Sequence, residues 1–194
     1  MRNCSQPLHN SGPRRYLAVL GNANDIHAWS GIPYHFYQAG RSANFFGGAL
    51  ELPAQRLHWR RVAWNLWQVL RGERYGGFQY SRFCLDQLFG AVGNRVAEGD
   101  IISHFQLFPP PEVARTHRVT FSFYIDMPLT RLFDEYGDGN RIGSAVAREA
   151  IRREREGYQQ ARFVVCMSSW AAKAVREEYG ISEEKMKVIL MGYY

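Results

Sequence analysis

The sequence predicts an α/β fold, a three-layer sandwich built on a mainly parallel sheet. The last third of the chain alternates helix, strand, helix and strand, with short apolar runs at residues 163–167 and 188–191. Parallel strands need a crossover of a dozen or more residues, and the amphipathic stretches between these runs supply it. Earlier apolar runs at residues 16–20, 100–106 and 118–123 are also separated by helical stretches. We therefore expect a Rossmann-like sheet whose strands all end at one edge.

Proline and glycine residues indicate where the helices between these strands begin and end. Pro33 and Pro53 suit the first turn of a helix, because proline lacks the N–H that helix starts leave unpaired. Gly47 and Gly48 break the first helix before a short apolar run. The predicted helices are residues 34–46, 54–71, 79–92 and 127–136, and the short strand is residues 49–52. Residues 1–15 are predicted to form a flexible tail, and residues 16–192 one domain.

Length and composition describe an ordinary globular domain. The chain has 194 residues, of which 46% are hydrophobic and 22% charged, enough to bury a real core. Cys4, Cys84 and Cys166 are odd in number and widely spaced, so they predict neither a disulfide framework nor a metal site. The start of the chain is too polar for a signal peptide. We expect a cytoplasmic protein.

The charge pattern narrows the choice of partner. The net charge is +6, and apart from Lys173, Lys185 and Lys187 the positive residues are all arginine. The arginine guanidinium binds phosphate and carboxylate well, so a nucleotide, an anionic lipid or a nucleic acid would fit as a partner. The alternative is that the preference for arginine over lysine reflects genome composition. No zinc motif, helix-turn-helix signature or RNP motif supports nucleic acid as a partner. The first turn after a strand, GNANDIHAWSG, lacks GxGxxG, which argues against a dinucleotide site.

The predicted helix at residues 54–71 has two distinct faces. One is the apolar stripe expected to face the core: Trp59, Val62, Ala63, Leu66, Val69 and Leu70. The other combines arginine with tryptophan, as membrane-surface helices and sugar-binding aromatic platforms do: Arg60, Trp64, Trp67 and Arg71. The alternative for the second face is that both tryptophans pack against neighbouring elements. The membrane interpretation would place the protein at the inner face of the membrane.

Several segments, taken in chain order, resemble family 4 glycosyltransferases. Residues 30–34, SGIPY, resemble the SGTP(Y/F) turn after the first strand of that family. Residues 124–126, YID, resemble its acceptor-side loop. Residues 161–170, ARFVVCMSSW, resemble its segment of Ala-Asp, apolar strand and S-x-W. Residues 179–180, followed by 187–192, resemble the strand that enters its interdomain linker.

The resemblance implies one half of a GT-B architecture, the N-terminal domain that holds the acceptor. It implies transfer of a sugar from a nucleotide-sugar donor to an unidentified acceptor (a glycan, a lipid-linked molecule or a small molecule), with retention and without a metal or other cofactor. The nucleotide-sugar domain is not matched, so we expect the chain alone to be inactive. Arg162 and Met127 stand where the family usually has Asp and Thr. A non-enzymatic carbohydrate-binding or scaffold domain is the first alternative, and another Rossmann-type nucleotide-binding protein is the second.

Ser30 and Gly31 are the candidates for binding the donor phosphate. A glycine between a strand and a helix lets backbone N–H groups approach a phosphate, and the helix dipole favours the negative charge. In the resembled family this turn faces the donor diphosphate. The alternative is structural: Gly31 makes a tight turn and Ser30 caps the helix.

Asp126 and His104 are the candidate catalytic residues. Asp126 follows a predicted strand, so its carboxylate could take a proton from an acceptor hydroxyl or stabilise a cationic transition state. Alternatively it caps the helix that begins near Pro128. His104 could bind a sugar hydroxyl or a phosphate, or be a structural strand residue. Candidate acceptor or sugar contacts at the same edge are Asn22, His27, Tyr124 and Ser168, although Ser168 could instead cap the Trp170 helix.

Overall fold

The structure is a computed structural model that describes residues 14–52, 57–90, 96, 98–104, 108–109, 118–135, 137 and 141–189. Within these residues the strands are β1 (Arg15–Leu20), β2 (Gly48–Leu52), β3 (Glu98–His104), β4 (Arg118–Ile125), β5 (Val164–Cys166) and β6 (Met186–Val188). The helices are α1 (Ile32–Ser42), α2 (His58–Leu70), α3 (Arg82–Phe89), α4 (Leu129–Glu135), α5 (Ser144–Gln160) and α6 (Ser169–Tyr179).

The six strands form one sheet in the order β2-β1-β3-β4-β5-β6. Every neighbouring pair is parallel. Tyr16 in β1 lies beside Gly48 of β2 on one side and beside Ile101 of β3 on the other. The predicted parallel α/β fold is therefore confirmed, and all strand carboxyl ends lie along a single edge.

Each face of the sheet carries its own apolar cluster. On one face α1 packs through Tyr37 and Phe36 against β1, β3 and β4, where Leu17 and Tyr124 are buried. The opposite face carries the larger cluster, to which α3, α4, α5 and α6 all contribute buried side chains. Helices therefore cover both faces of the sheet, as the sandwich prediction requires.

The first predicted helix is four residues too long at its carboxyl end. Helix α1 ends at Ser42, and the backbone amides of Phe45 and Phe46 donate to the carbonyl of Gly40 at 2.7 and 3.2 Å. The chain folds back here so that the Phe46 ring lies against α1. A Cβ atom at Gly40 would overlap that ring, which explains a glycine within the helix.

The predicted core stripe of α2 is wrong. Trp59 is 80% exposed, Leu66 59% and Leu70 76%, and the other members of that stripe are exposed as well. The inward side of α2 instead carries Trp64 and Gln68. Trp64 donates through Nε1 to the carbonyl of Gly76 at 3.0 Å, so hydrogen bonding to the following loop sets the rotation of the helix.

Other boundaries shift by a few residues. The predicted helix at residues 79–92 is a short 3-10 turn, Phe78–Tyr80, followed by α3. The two are separated by Ser81, whose hydroxyl accepts from the Cys84 amide at 3.2 Å and caps α3. Arg15, which was predicted as the end of the 1–15 tail, belongs to β1. The rest of that tail up to residue 13, and residues 53–56, 91–92, 105–106, 136 and 190–192 of other predictions, lie outside the described residues.

Two cysteines lie in the core of the described structure. Cys84 is on the inward face of α3, and Cys166 ends β5 with no exposed surface. Burial raises the pKa of Cys84 to about 11 and that of Cys166 to about 12. Both therefore behave as small hydrophobic residues. None of the helices in the described ranges is long and apolar enough to cross a lipid bilayer.

Candidate functional site

The candidate site lies at the carboxyl edge of the sheet, where β1 and β3 are neighbours. The chain leaves β1 for β2 on one side, and β3 follows on the other side of β1. Such a reversal of strand order opens a crevice in parallel sheets, and ligands bind there. The loop after β1 and the last residue of β3, His104, border this crevice.

The loop after β1 ends in a strained left-handed turn. Trp29, Ser30 and Gly31 have φ values of 51°, 57° and 76°. Two non-glycine residues in this region cost about 1–3 kcal/mol each, so surrounding contacts must hold them. Trp29 supplies one, because its Nε1 donates to the carbonyl of Leu20 at 2.9 Å. Ser30 is exposed, and the residue in the capping position of α1 is Gly31, not Ser30.

This turn leads directly into the amino end of α1. Gly31 is the residue that precedes the helix, and Pro33 follows in its first turn. A Cβ atom at Gly31 would lie 3.0 Å from the carbonyl oxygen of Ile26, so glycine fits both the φ angle and the space. The predicted geometry, a glycine turn before a helix amino end at the strand edge, is present. Whether a phosphate binds there stays a prediction.

The polar residues earlier in the loop are exposed and organise the loop itself. Asn22 Oδ1 accepts from the amide of Asn24 at 2.7 Å, and Asp25 Oδ1 accepts from the amide of His27 at 2.9 Å. Asn24 in turn accepts from Gln38 of α1 at 3.2 Å. Asn22 and His27 thus lie on the surface of the same edge, and the Asn22 side chain already has a local hydrogen bond.

His104 and Tyr124 form a buried wall behind the turn. The His104 ring lies 6.4 Å from the Trp29 ring and 6.1 Å from the Tyr124 ring, measured between centroids. Tyr124 stacks on Phe36 of α1 at 4.1 Å. Burial lowers the pKa of His104 to about 3, so its imidazole is neutral at physiological pH. This position favours the structural interpretation of His104 and gives Tyr124 a packing role.

Asp126 lies directly after β4 and is partly buried. Its Oδ1 accepts from the amide of Met127 at 2.8 Å. Burial raises the pKa of the Asp126 carboxyl, while the hydrogen bonds from the amides of Met127 and Asp126 lower it by less. A carboxyl with a raised pKa at a ligand edge is suited to proton transfer.

The first amides of α4 are bound by residues other than Asp126. The amide of Leu129 donates to both carboxyl oxygens of Glu154 at 3.0 and 2.9 Å. The amide of Thr130 donates to the hydroxyl of Tyr179 at 3.3 Å. Glu154 of α5 and Tyr179 of α6 therefore cap α4 in place of Asp126. The capping alternative for Asp126 is disfavoured, and its interpretation as a site residue remains.

Ser168 has the structural role that the sequence offered as its alternative. Its Oγ accepts from the amide of Ala171 at 3.1 Å and caps α6. The register pairs Ile125 of β4 with Cys166 of β5, so Ser168 does lie at the same edge as Asp126. Among the predicted site residues, the fold brings the turn at Trp29–Gly31 close to His104 and Tyr124. Asp126 and Ser168 lie farther along the edge, after β4 and β5.

Sequence reasoning missed the buried cluster around Glu154. Glu154 has no exposed surface and also accepts from the hydroxyls of Tyr158, at 2.7 Å, and Tyr179. Within the charged run AREAIRREREGYQQ it resembles its solvated neighbours. The available signal was its spacing, because Glu154 shares a helix face with Ala147, Ala150 and Tyr158.

The two departures from the resembled family have local explanations. Arg162 lies at the opposite, amino edge of the sheet, where it pairs with Asp100 of β3 at 3.0 Å. Met127 follows Asp126 and is partly buried. Across the described ranges, no group of three or more His, Cys, Asp or Glu side chains is placed to hold a metal ion. Compared with models of known protein families and with curated proteins, the sequence matches none.

Proposed function

We propose that this domain is the acceptor-side half of a glycosyltransferase. In this proposal the enzyme transfers a sugar, with retention, from a nucleotide-sugar donor to an acceptor hydroxyl. The strained turn Trp29–Ser30–Gly31 is the observation that carries it, because such strain in front of a helix at the switch in strand order has the geometry of a phosphate cradle. The resemblance of residues 30–34 to the family turn supports the same assignment.

The proposed roles follow the placement of the side chains. Amides at the start of α1 face the diphosphate of the donor, which departs with the electron pair of the glycosidic bond. The acceptor oxygen forms the new bond to the sugar carbon. Asp126 lies on the acceptor side and interacts with its hydroxyl proton or with the positive charge of the transition state. His104, buried and neutral, supports Trp29 rather than binding phosphate as a cation.

The turn can be tested with a matched pair of glycine variants. Gly31 and Gly180 both have a left-handed backbone, at φ values of 76° and 70°, so alanine should destabilise either position by about 1–2 kcal/mol. The close Ile26 carbonyl adds a further cost at Gly31, whereas a Cβ atom at Gly180 meets nothing within 4 Å. Gly180 lies at the other end of the molecule, after α6. We expect Gly31→Ala, and not Gly180→Ala, to weaken the binding of nucleotide sugars, which is followed by NMR shifts of the amides at residues 30–32, 34 and 35. Binding unchanged in Gly31→Ala, or shifts located elsewhere, would contradict the proposed site.

Catalysis is expected to require a second domain. The resembled enzymes hold most of the nucleotide sugar in their other half, so purified residues 1–194 should bind nucleotide sugars weakly and transfer no sugar. Release of nucleoside diphosphate from a panel of donors, with glycan and lipid-linked acceptors present, measures this. Turnover by residues 1–194 alone would overturn the assignment to an acceptor-side half. Binding of glycans without any response to nucleotide sugars would favour the non-enzymatic carbohydrate-binding alternative.

A further inference from the structure

The outward face of α2 is an apolar stripe open to solvent. Residues three and four positions apart share a helix face, and six such residues are exposed here. We call this surface the α2 stripe: Trp59, Val62, Ala63, Leu66, Val69 and Leu70. Contiguous apolar surface of this kind on a folded domain marks an interaction site.

Positive charge borders the α2 stripe. Arg60 and Arg61 lie near the start of α2, Arg71 and Arg74 follow its end, and all four are exposed. Helix α2 contains no acidic residue, and the nearest carboxylate in the sequence is Glu73, which is exposed between Arg71 and Arg74. The guanidinium of Arg71 lies 4.4 Å from the centre of the Trp67 ring, which is half exposed at the edge of the stripe. The face therefore combines apolar side chains with arginines that can reach anionic groups.

A groove continues this surface on the inward flank of α2. Its volume is about 370 Å³, and it separates α2 from α3 and α5. Two carboxylates lie in the groove, Glu73 and Glu149, and Glu149 pairs with Arg152 and Arg153. Aromatic rings and arginines make up much of the remaining lining: Trp64, Trp67, Tyr80, Phe83, Arg71 and Arg82. Because Trp67 and Arg71 border both the groove and the stripe, the two form one continuous surface.

We propose that α2 docks this domain on the surface of an anionic lipid bilayer. The α2 stripe enters the boundary between headgroups and acyl chains, the exposed rings of Trp59 and Trp67 lie at headgroup level, and the arginines contact lipid phosphates. This arrangement buries the apolar side chains of the face and pairs its arginines with negative charge at the same time. It does not depend on the proposed enzymatic activity, because α2 contributes no residue to the site at the turn after β1.

Charge disfavours a second copy of the chain as the occupant. In a two-fold symmetric dimer the same patch meets itself, so arginine would be placed against arginine. Helix α2 has no carboxylate of its own to offset this repulsion, and of the two carboxylates in the groove Glu149 already pairs with Arg152 and Arg153. An anionic bilayer supplies the opposite charge and an apolar layer without such a penalty.

The test uses the 194-residue chain and vesicles of two compositions, phosphatidylcholine alone and phosphatidylcholine with phosphatidylglycerol. Co-flotation measures the bound fraction, and a blue shift of tryptophan fluorescence reports insertion. We expect binding to the anionic vesicles that weakens as salt is added, because salt screens the electrostatic part. Binding to the neutral vesicles should be at least about tenfold weaker.

Variants separate the two chemistries of the face. Leu66→Ser with Leu70→Ser should lower binding to anionic vesicles by at least about tenfold, since each removes an apolar side chain from the bilayer. Arg61→Gln and Arg71→Gln should each lower it about fivefold. Matched controls on other elements are Trp170→Ser on α6 and Arg118→Gln at the start of β4, both exposed residues that should leave binding unchanged.

The outcomes decide the proposal. No binding to anionic vesicles, or binding that the α2 variants leave unchanged, would overturn it. So would a concentration-dependent dimer that is lost in the leucine variant and competes with vesicles, because the α2 stripe would then belong to a second copy. Far-ultraviolet circular dichroism of each variant checks that these exposed positions leave the fold intact.

Discussion

Replacing Glu154 with alanine is expected to destabilise the domain by about 3 kcal/mol or more. The change removes the acceptor for three buried donors, the Leu129 amide and the hydroxyls of Tyr158 and Tyr179. Each donor left unpaired costs about 1–3 kcal/mol. Because the free energy of unfolding of natural domains is about 5–15 kcal/mol, this loss is a large share of the stability of the domain. Urea unfolding followed by circular dichroism measures the change.

Glu156 provides the control for this prediction. It lies two residues further along α5, is partly exposed, and pairs with Arg152 at the surface. Glu156→Ala should change the free energy of unfolding by no more than about 0.5 kcal/mol, as exposed substitutions do. Equal effects of the two alanine variants would show that the buried cluster does not stabilise the fold as described.

The same carboxyl makes stability depend on pH. Burial raises the pKa of Glu154 to about 8 from an ordinary 4.5, although the hydrogen bonds from Tyr179, Tyr158 and Leu129 oppose the shift. A raised folded pKa means that the folded state binds the proton more tightly, so its contribution is complete below about pH 4.5. It is then lost as the pH rises through 8. We expect Glu154→Gln to flatten this decline between pH 5 and 8.

Replacing Asp126 with asparagine is expected to lower kcat by about 10² or more in an enzyme that contains both halves of the proposed architecture. The substitution removes the charge with little change in shape. Stability should hold, because Glu154 and Tyr179 bind the first amides of α4. Initial rates at saturating donor and acceptor, with thermal unfolding of the same variant, separate the two effects.

Asp134 offers the matched control for Asp126. It is an exposed residue of α4, and Asp134→Asn changes the net charge by the same amount. Its kcat should stay at the wild-type value. A kcat unchanged in Asp126→Asn would remove Asp126 from the proposed chemistry. A loss of stability with kcat intact would restore its capping role.

The strand pattern was predictable because it depends on local sequence. A strand buried on both faces, such as β1 with four of its six residues buried, is a continuous apolar run over residues 16–20 that few other structures explain. Helix boundaries were less predictable because tertiary contacts set them. Phe46 ends α1 early by packing on Gly40, and that contact exists only once the chain has turned back.

The candidate site at the sheet edge was partly predictable, whereas the core face predicted for α2 was wrong. Parallel topology alone places Gly31, His104 and Asp126 at the same edge, so the sequence sufficed for that. A hydrophobic stripe, however, shows only that a face is covered by something apolar, and not by what. For α2 the sequence could not distinguish the domain's own core from an external surface. Hydrogen bonds of Trp64 and Asn65 to Gly76 decide between them.

The reactivity of the two buried thiols would measure how often the domain opens. A thiolate reacts with alkylating reagents and a buried thiol does not, so Cys84 and Cys166 become reactive only when their surroundings separate. One belongs to α3 and the other to the sheet, at β5. With Cys4 replaced by serine, the two alkylation rates would compare local opening of the helical layer with global unfolding of the sheet. Ligands that bind the edge, and membranes that bind α2, would slow these two rates to different extents.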